Sequence, residues 1–437
     1  MKSFLASHAL VLLSVQAILV IVASRVLSLV LRRLGQPMVI AEVLAGIALG
    51  PSLLGVLAPD TFQVLFPATS LPTLGLLSQL GLVFFMFIIG LELEPQLLRG
   101  LGKSALLISN VSIVVPFVLG VTVAIAIAPH WASASVPLMH FALFLGVAMS
   151  VTAFPVLARI LSEGGLIHTR IGALAIACAA VGDVTAWCLL ALISALVKSS
   201  SLVGAGLTVV LTFGYCVAMW FVARPLLAKL VRQRTDRRGI SQRMVAATVV
   251  LLLLSALATE AIGVHALFGA FFFGVIVPRD GGLAHGLRER LEDLVVVLLL
   301  PLFFAYSGLR TQVGLLDGSS AWLTAGLLTF VAVLGKWGGA TLAGRTSGQS
   351  WRDANAIGVL MNTRGLMELV ILNIGLDLGV ISPTVFTMMV LMALITTVMT
   401  SPLLVLLRPK QPSASWSTSD DHARDAQSPA PGVVVPS

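Results

Sequence analysis

Long apolar runs separated by short polar connections dominate the chain. They lie at roughly 8–31, 37–57, 72–92, 103–128, 137–160, 167–197, 202–223, 243–259, 262–278, 291–309, 320–343, 352–376 and 381–407. A helix needs about 20 mainly apolar residues to cross a hydrocarbon core, so the pattern predicts an all-α polytopic membrane protein with about thirteen transmembrane helices. Twelve stays open, because little more than Thr259-Glu260 divides the eighth and ninth runs, and the sixth is long. The pattern stops after Lys410. Residues 1–410 read as one transmembrane domain, and 411–437, rich in Ser, Pro, Asp and Ala, as a disordered cytoplasmic tail.

Composition agrees: of 437 residues, 58% are hydrophobic and 11% charged, against about a quarter charged in soluble domains. The formal charge of +8 would raise nucleic acid as a partner on a soluble protein. Here the Lys and Arg sit in short loops, so no nucleic-acid partner is expected and the charges orient the chain toward anionic lipid. Arg32 and Arg33, Arg99 and Lys103, Arg159 and Arg170, and the stretch Arg224 to Arg243 fall on one side; Lys2, Lys198 and Arg310 fall on the other. This alternation predicts an outside N-terminus and a cytoplasmic C-terminus in a bacterial inner membrane. Cys178, Cys188 and Cys216 lie inside apolar runs without metal-ligand spacing and read as packing residues.

With six spans on either side of the run at 202–223, the second half (about 243–407) enters the membrane upside down relative to the first (about 8–197). That is the arithmetic of inverted six-helix repeats, whose binding sites lie at the midplane on interrupted helices. Two segments fit an interruption, one per half. Met149-Ser150-Val151-Thr152-Ala153-Phe154-Pro155 joins two hydroxyls to a proline, and Asn362-Thr363-Arg364-Gly365 places polar groups and a glycine at membrane depth. Non-helical backbone is tolerated there where it is buried in protein or lines a cavity; a proline kink and a polar helix contact are the alternatives.

A charge at mid-bilayer depth costs about 2.5–3.5 kcal/mol on insertion scales, so each one is a functional candidate. Asp183 in AVGDVTAW has about a dozen apolar or small residues on each side. It reads either as a permanently protonated structural donor or as a carboxylate for which a proton and a dehydrated cation compete. Lys336 in AVLGKWGGA reads either as a donor to carbonyls of a broken helix or as a proton carrier. Arg364 and Glu368, spaced i,i+4, read as a structural ion pair. Glu42 has no sequence-near partner and is set against Arg364 or Lys336 across the bundle, while His265 reads as a packed neutral histidine.

The strings SVTAFPVLARIL, AAVGDVTAWCLLAL, TEAIGVHALFGAFFFG, LPLFFAYSGLRT and MNTRGLMELVILNIG resemble the cation/H+ exchangers of the monovalent cation:proton antiporter-2 family, above all the branch with the plant CHX proteins. The resemblance runs from roughly Leu34 to Pro402. It implies a homodimer with a mobile core in which two broken helices cross, and no cofactor. It also implies that Asp183 binds the proton and the transported cation, K+ or Na+, with Thr152 and Ser150 at the first crossover. Asn362, Thr363 and Gly365 would form the second, and Lys336 would be the basic residue beside them. The family usually has Asp or Asn immediately before the binding aspartate; here that position is Gly182. With one carboxylate, the resemblance implies one cation for one proton, an electroneutral antiport. A proton-coupled exporter of another small solute on the same scaffold is the alternative. An enzyme is not expected, since HExxH, GxSxG and paired metal carboxylates are missing.

Overall fold

The structure, a computed structural model, describes residues 9–92, 103–163, 166, 169–198, 202–234, 241–278 and 282–407, and the expected tail over 411–437 lies outside them. Among the described residues the regular structure is helical throughout. In chain order the first half comprises α1 (Ala9–Arg33), α2 (Met38–Leu49), α3 (Leu54–Leu57), α4 (Pro59–Leu65), α5 (Leu71–Glu92), α6 (Lys103–Trp131), α7 (Leu138–Ser150), α8 (Phe154–Glu163) and α9 (Arg170–Lys198). After α10 (Leu202–Ala218) a π-helical turn, Met219–Ala223, runs into α11 (Arg224–Arg234). Then come α12 (Gln242–Ile262), α13 (Ala266–Ile276), α14 (Leu283–Leu294), α15 (Leu300–Arg310), α16 (Gly318–Val333), a π-helical turn Leu334–Gly338, α17 (Gly339–Thr346), α18 (Trp351–Met361), α19 (Leu366–Asp377) and α20 (Pro383–Leu407).

Ten helices among the described residues are long and apolar enough to cross a membrane. This falls short of the expected thirteen, because the runs at 137–160, 262–278 and 352–376 hold only shorter helices. The division expected at Thr259-Glu260 sits a few residues later. Gly263, with φ of 102°, ends α12, and its N–H and that of Val264 close on the Glu260 and Thr259 carbonyls. Glu260 then accepts the Ala266 N–H at 2.9 Å, so the acidic residue starts α13 rather than breaking α12.

The helices sort by packing into two groups. One holds α1, α2, α5, α12, α13 and α15; the other holds α6, α7, α9 and α16 to α20. Contact inside each group is backbone on backbone. A Cβ on Gly90 would lie 2.2 Å from the Phe271 carbonyl, and one on Gly274 would lie 2.3 Å from the Phe87 carbonyl, so α5 and α13 cross through paired glycines. Gly46 on Ala305, Gly269 on Ser255 and Gly358 on Trp337 are further crossings, each with an added Cβ under 3.0 Å from backbone. The groups meet chiefly where α15 packs on α19 and where α20 packs on the turn Val313–Leu315.

Candidate functional site

The two expected interruptions are present and cross each other. Residues 151–153 separate α7 from α8, and 362–365 separate α18 from α19. The Thr152 hydroxyl donates to the Met361 carbonyl at 3.1 Å, and the Ala153 N–H donates to the Thr363 carbonyl at 3.1 Å. Gly365 holds φ 145° and ψ −122°, a conformation reserved for glycine. The Arg364 N–H is taken by the Thr397 hydroxyl at 3.2 Å.

A helix end leaves its last four carbonyls without intrahelical donors, and in hydrocarbon they need other partners. For α7 these are the carbonyls of residues 147–150, and side chains satisfy all four. Ser150 Oγ donates to Val147 at 2.8 Å, Arg364 Nη1 to Ala148 at 3.2 Å and Arg364 Nη2 to Met149 at 2.8 Å, while Lys336 Nζ donates to Ser150. The Arg364 guanidinium at this helix C-terminus also opposes its negative dipole end.

Lys336 serves a second orphan. Its Nζ donates to the Ser112 carbonyl at 2.9 Å, the carbonyl whose helical partner would be the N–H that Pro116 lacks. The π-helical turn carrying Lys336 reaches that point because Gly335 faces Pro116, where a Cβ would stand 2.9 Å from the Pro116 Cα. Of the two readings of Lys336, donation to carbonyls of a broken helix is therefore observed directly.

Arg364 and Glu368 pair as their spacing predicts, at 3.2 Å and fully buried. Glu368 occupies the first turn of α19, where the helix dipole favours an anion. The carboxylate facing the start of α8 is Asp183, which comes from α9. It is 2% exposed and neither of its oxygens has a partner within full hydrogen-bond geometry; the Phe154 N–H is the backbone donor directed at it, and Lys336 acts on it through space without an ion pair forming. Among the other buried oxygens without partners, Asn362 Oδ1 and Thr363 Oγ1 lie in the second interruption and Glu368 Oε2 in the first turn of α19. An unsatisfied buried polar group costs about 1–3 kcal/mol, more if charged, so each of these oxygens is stabilised by any donor or cation that reaches it. Oxygen donors suit a hard cation. Among the described residues no three His, Cys, Asp or Glu side chains converge as a multivalent metal site would need.

Spaces of very different size lie along the seam between the helix groups. A cavity of about 720 Å³ reaches Phe154 and Val156 beside the first interruption, faced by Phe85 and Phe304 and rimmed by Glu92, Arg288 and Glu292. On the other side the space shrinks to about 20 Å³ around His265, Tyr306 and Arg310. There Arg310 bonds Asp377 at 2.6 Å and Asn373 at 3.0 Å, joining α15 to α19.

The remaining candidates lie elsewhere or act structurally. Glu42 is buried on α2, whose main packing partners are α1 and α15. His265 caps α13, its Nδ1 accepting the Leu267 N–H at 3.4 Å. Sequence reading missed the Ser112 carbonyl, for which Pro116 inside an apolar run was the available signal, and Thr397, which carries no signal within its own helix.

Comparison with known proteins places this arrangement. The chain is 45% identical to the Na(+)/H(+) antiporter NhaS4 of Synechocystis sp., over 92% of this chain and 98% of that one. It is 42% identical to Cation/H(+) antiporter 17 of Arabidopsis thaliana and 36% identical to K(+)/H(+) antiporter 1 of Saccharomyces cerevisiae, and in both cases spans about half of the relative's length (50% and 50%). Its fold is similar to that of the sodium proton antiporter MjNhaP1 from Methanocaldococcus jannaschii, with a TM-score of 0.65 over 89% of this chain and 98% of that one at 14% identity. The family profile described as "Sodium/hydrogen exchanger, transmembrane" matches residues 18–406, and the chain belongs to that family of multi-pass membrane proteins.

Proposed function

We propose that the chain is a secondary antiporter exchanging K+ or Na+ for H+ by alternating access, both ions competing for Asp183. One observation carries this: a buried carboxylate with no partner in full hydrogen-bond geometry on either oxygen, beside the crossing of two broken helices. Binding a proton or a cation relieves that carboxylate, so the loaded states are the ones that cross. The relatives' names, Na(+)/H(+) and K(+)/H(+) antiporter, fit this reading.

Oxygens of Thr152, Asn362 and Thr363 complete the cation's shell. With Asp183 and Glu368 ionised and Lys336 and Arg364 protonated the buried cluster sums to zero, and either ligand adds one positive charge. One-for-one exchange then moves no net charge. Movement of one helix group against the other closes the large cavity and opens the side held by Arg310 and Asp377.

We place the N-terminus outside a bacterial inner membrane and the C-terminus in the cytoplasm, which makes the large cavity cytoplasmic. The halves at 8–197 and 243–407 act as inverted repeats around the linking span. The chain works as a homodimer in lipid, without resident cofactor or enzymatic activity; α10 offers an apolar face, with Phe213 71% exposed.

The test is cation-dependent proton movement in proteoliposomes, wild type beside Asp183→Asn. K+ or Na+ pulses should collapse an imposed pH gradient in wild type and leave it intact in the variant, with no voltage dependence. Activity persisting in Asp183→Asn sinks the assignment. A folded wild type silent toward every monovalent cation favours the solute exporter, for which the cavity of about 720 Å³ has room.

A further inference from the structure

Buried glycines in this chain generally sit where another chain segment presses on them. A Cβ on Gly46 would lie 2.2 Å from the Ala305 carbonyl, and one on Gly358 would lie 2.1 Å from the Thr341 hydroxyl. Glycines whose Cβ direction is open, such as Gly206, Gly214 and Gly326, are exposed. Gly182 is the exception among the described residues: it is buried, and a Cβ on it would meet nothing within 4 Å. Packing does not call for glycine here, and helix propensity opposes it in the middle of α9.

What distinguishes the position is its neighbour, Asp183, whose two carboxylate oxygens are buried without a partner in full hydrogen-bond geometry. Unfilled space beside polar groups holds water, whereas a void lined only by apolar groups stays dry. We infer that Gly182 determines the cation preference of the site: the open space at this position, one residue along α9 from the carboxylate, lets the site admit a larger or partly hydrated monovalent cation, and a side chain there disfavours it. The inference rests on the exchange reading and adds to it which ions the site favours.

The experiment compares wild type with Gly182→Ala and Gly182→Ser in purified, detergent-solubilised protein. The readout is the K+ and Na+ concentration giving half-maximal proton release, which is independent of turnover. Filling a pocket by one methyl-sized group changes discrimination by about tenfold, so the K+ to Na+ ratio of half-maximal concentrations should rise about that much in Gly182→Ala. Thermal stability of Gly182→Ala should match or exceed wild type, since alanine favours helix and no neighbour is displaced. A ratio within twofold of wild type in both variants overturns the inference and leaves the exchange reading intact. Loss of proton release with both cations also overturns it, because the space would then serve the site as a whole and not its selectivity. Absence of cation-dependent proton release in wild type defeats the exchange reading itself, and the inference with it.

Discussion

The Thr152 hydroxyl donates to the Met361 carbonyl, so the residue that interrupts one helix satisfies the last carbonyl of the other interrupted helix. Neither break is stable alone, since each leaves backbone groups that hydrocarbon cannot solvate. Crossing makes them partners.

Thr152→Val keeps the shape and removes the donor, leaving the Met361 carbonyl unsatisfied. The expected cost is about 1–3 kcal/mol, read as a lower unfolding temperature in detergent, with a matching fall in exchange rate. Thr152→Ser restores the donor and should recover most of both. Equal behaviour of the two variants would show that the hydroxyl does not act.

Lys336 and Pro116 should be coupled. Pro116→Ala supplies an N–H to the Ser112 carbonyl, one of the two that Lys336 caps. The loss of stability in Lys336→Gln should therefore be smaller in a Pro116→Ala background, by about 1 kcal/mol, the net worth of one hydrogen bond. Strict additivity in the double-mutant cycle would contradict the capping role.

Arg364 cannot be replaced by another cation. Its fork reaches two carbonyls of α7 and Glu368 together, and a lysine ammonium does not match that geometry. Arg364→Gln, which strands a buried carboxylate, should cost about 3–5 kcal/mol. Arg364→Lys should recover only part of this in thermal unfolding, and full recovery would mean that charge alone matters.

The proposed competition for one carboxylate predicts the pH response. If protons occupy the same group as the cation, acidification should raise the apparent KM for the cation and leave the maximal rate at saturating cation in place. On the acid limb the slope should be about tenfold in KM per pH unit, the value for one proton against one cation. A slope near two in the logarithm would require a second proton and would make Glu368 the next residue to substitute. KM profiles across pH in proteoliposomes read the slope directly.

The breaks were legible because hydroxyls, a proline and a glycine stand out in apolar runs, and the Arg364–Glu368 pair because i,i+4 spacing is local. The partners of those residues were not. Arg364 reaches Ala148 across 216 positions, and Lys336 reaches Ser112 across 224; nothing in either segment names the other. The thirteen expected spans rest on apolarity and loop charge, neither of which distinguishes a continuous helix from two short halves. Near Thr259-Glu260, the weakest division in the apolar pattern, a left-handed glycine, Gly263, ends the helix and the acid caps the next one.

Glycine contacts such as Gly90 on Gly274 have a mechanical consequence. Backbone pressed on backbone cannot slip without colliding, so each helix group is stiff, while the seam between groups is held by side chains that can let go and re-form. Deformation is thereby steered into sliding, and little of the work of transport is lost in bending helices. Bulk added at a glycine crossing should act on assembly, and change at the seam should act on speed, which gives the chain two separate handles for variation.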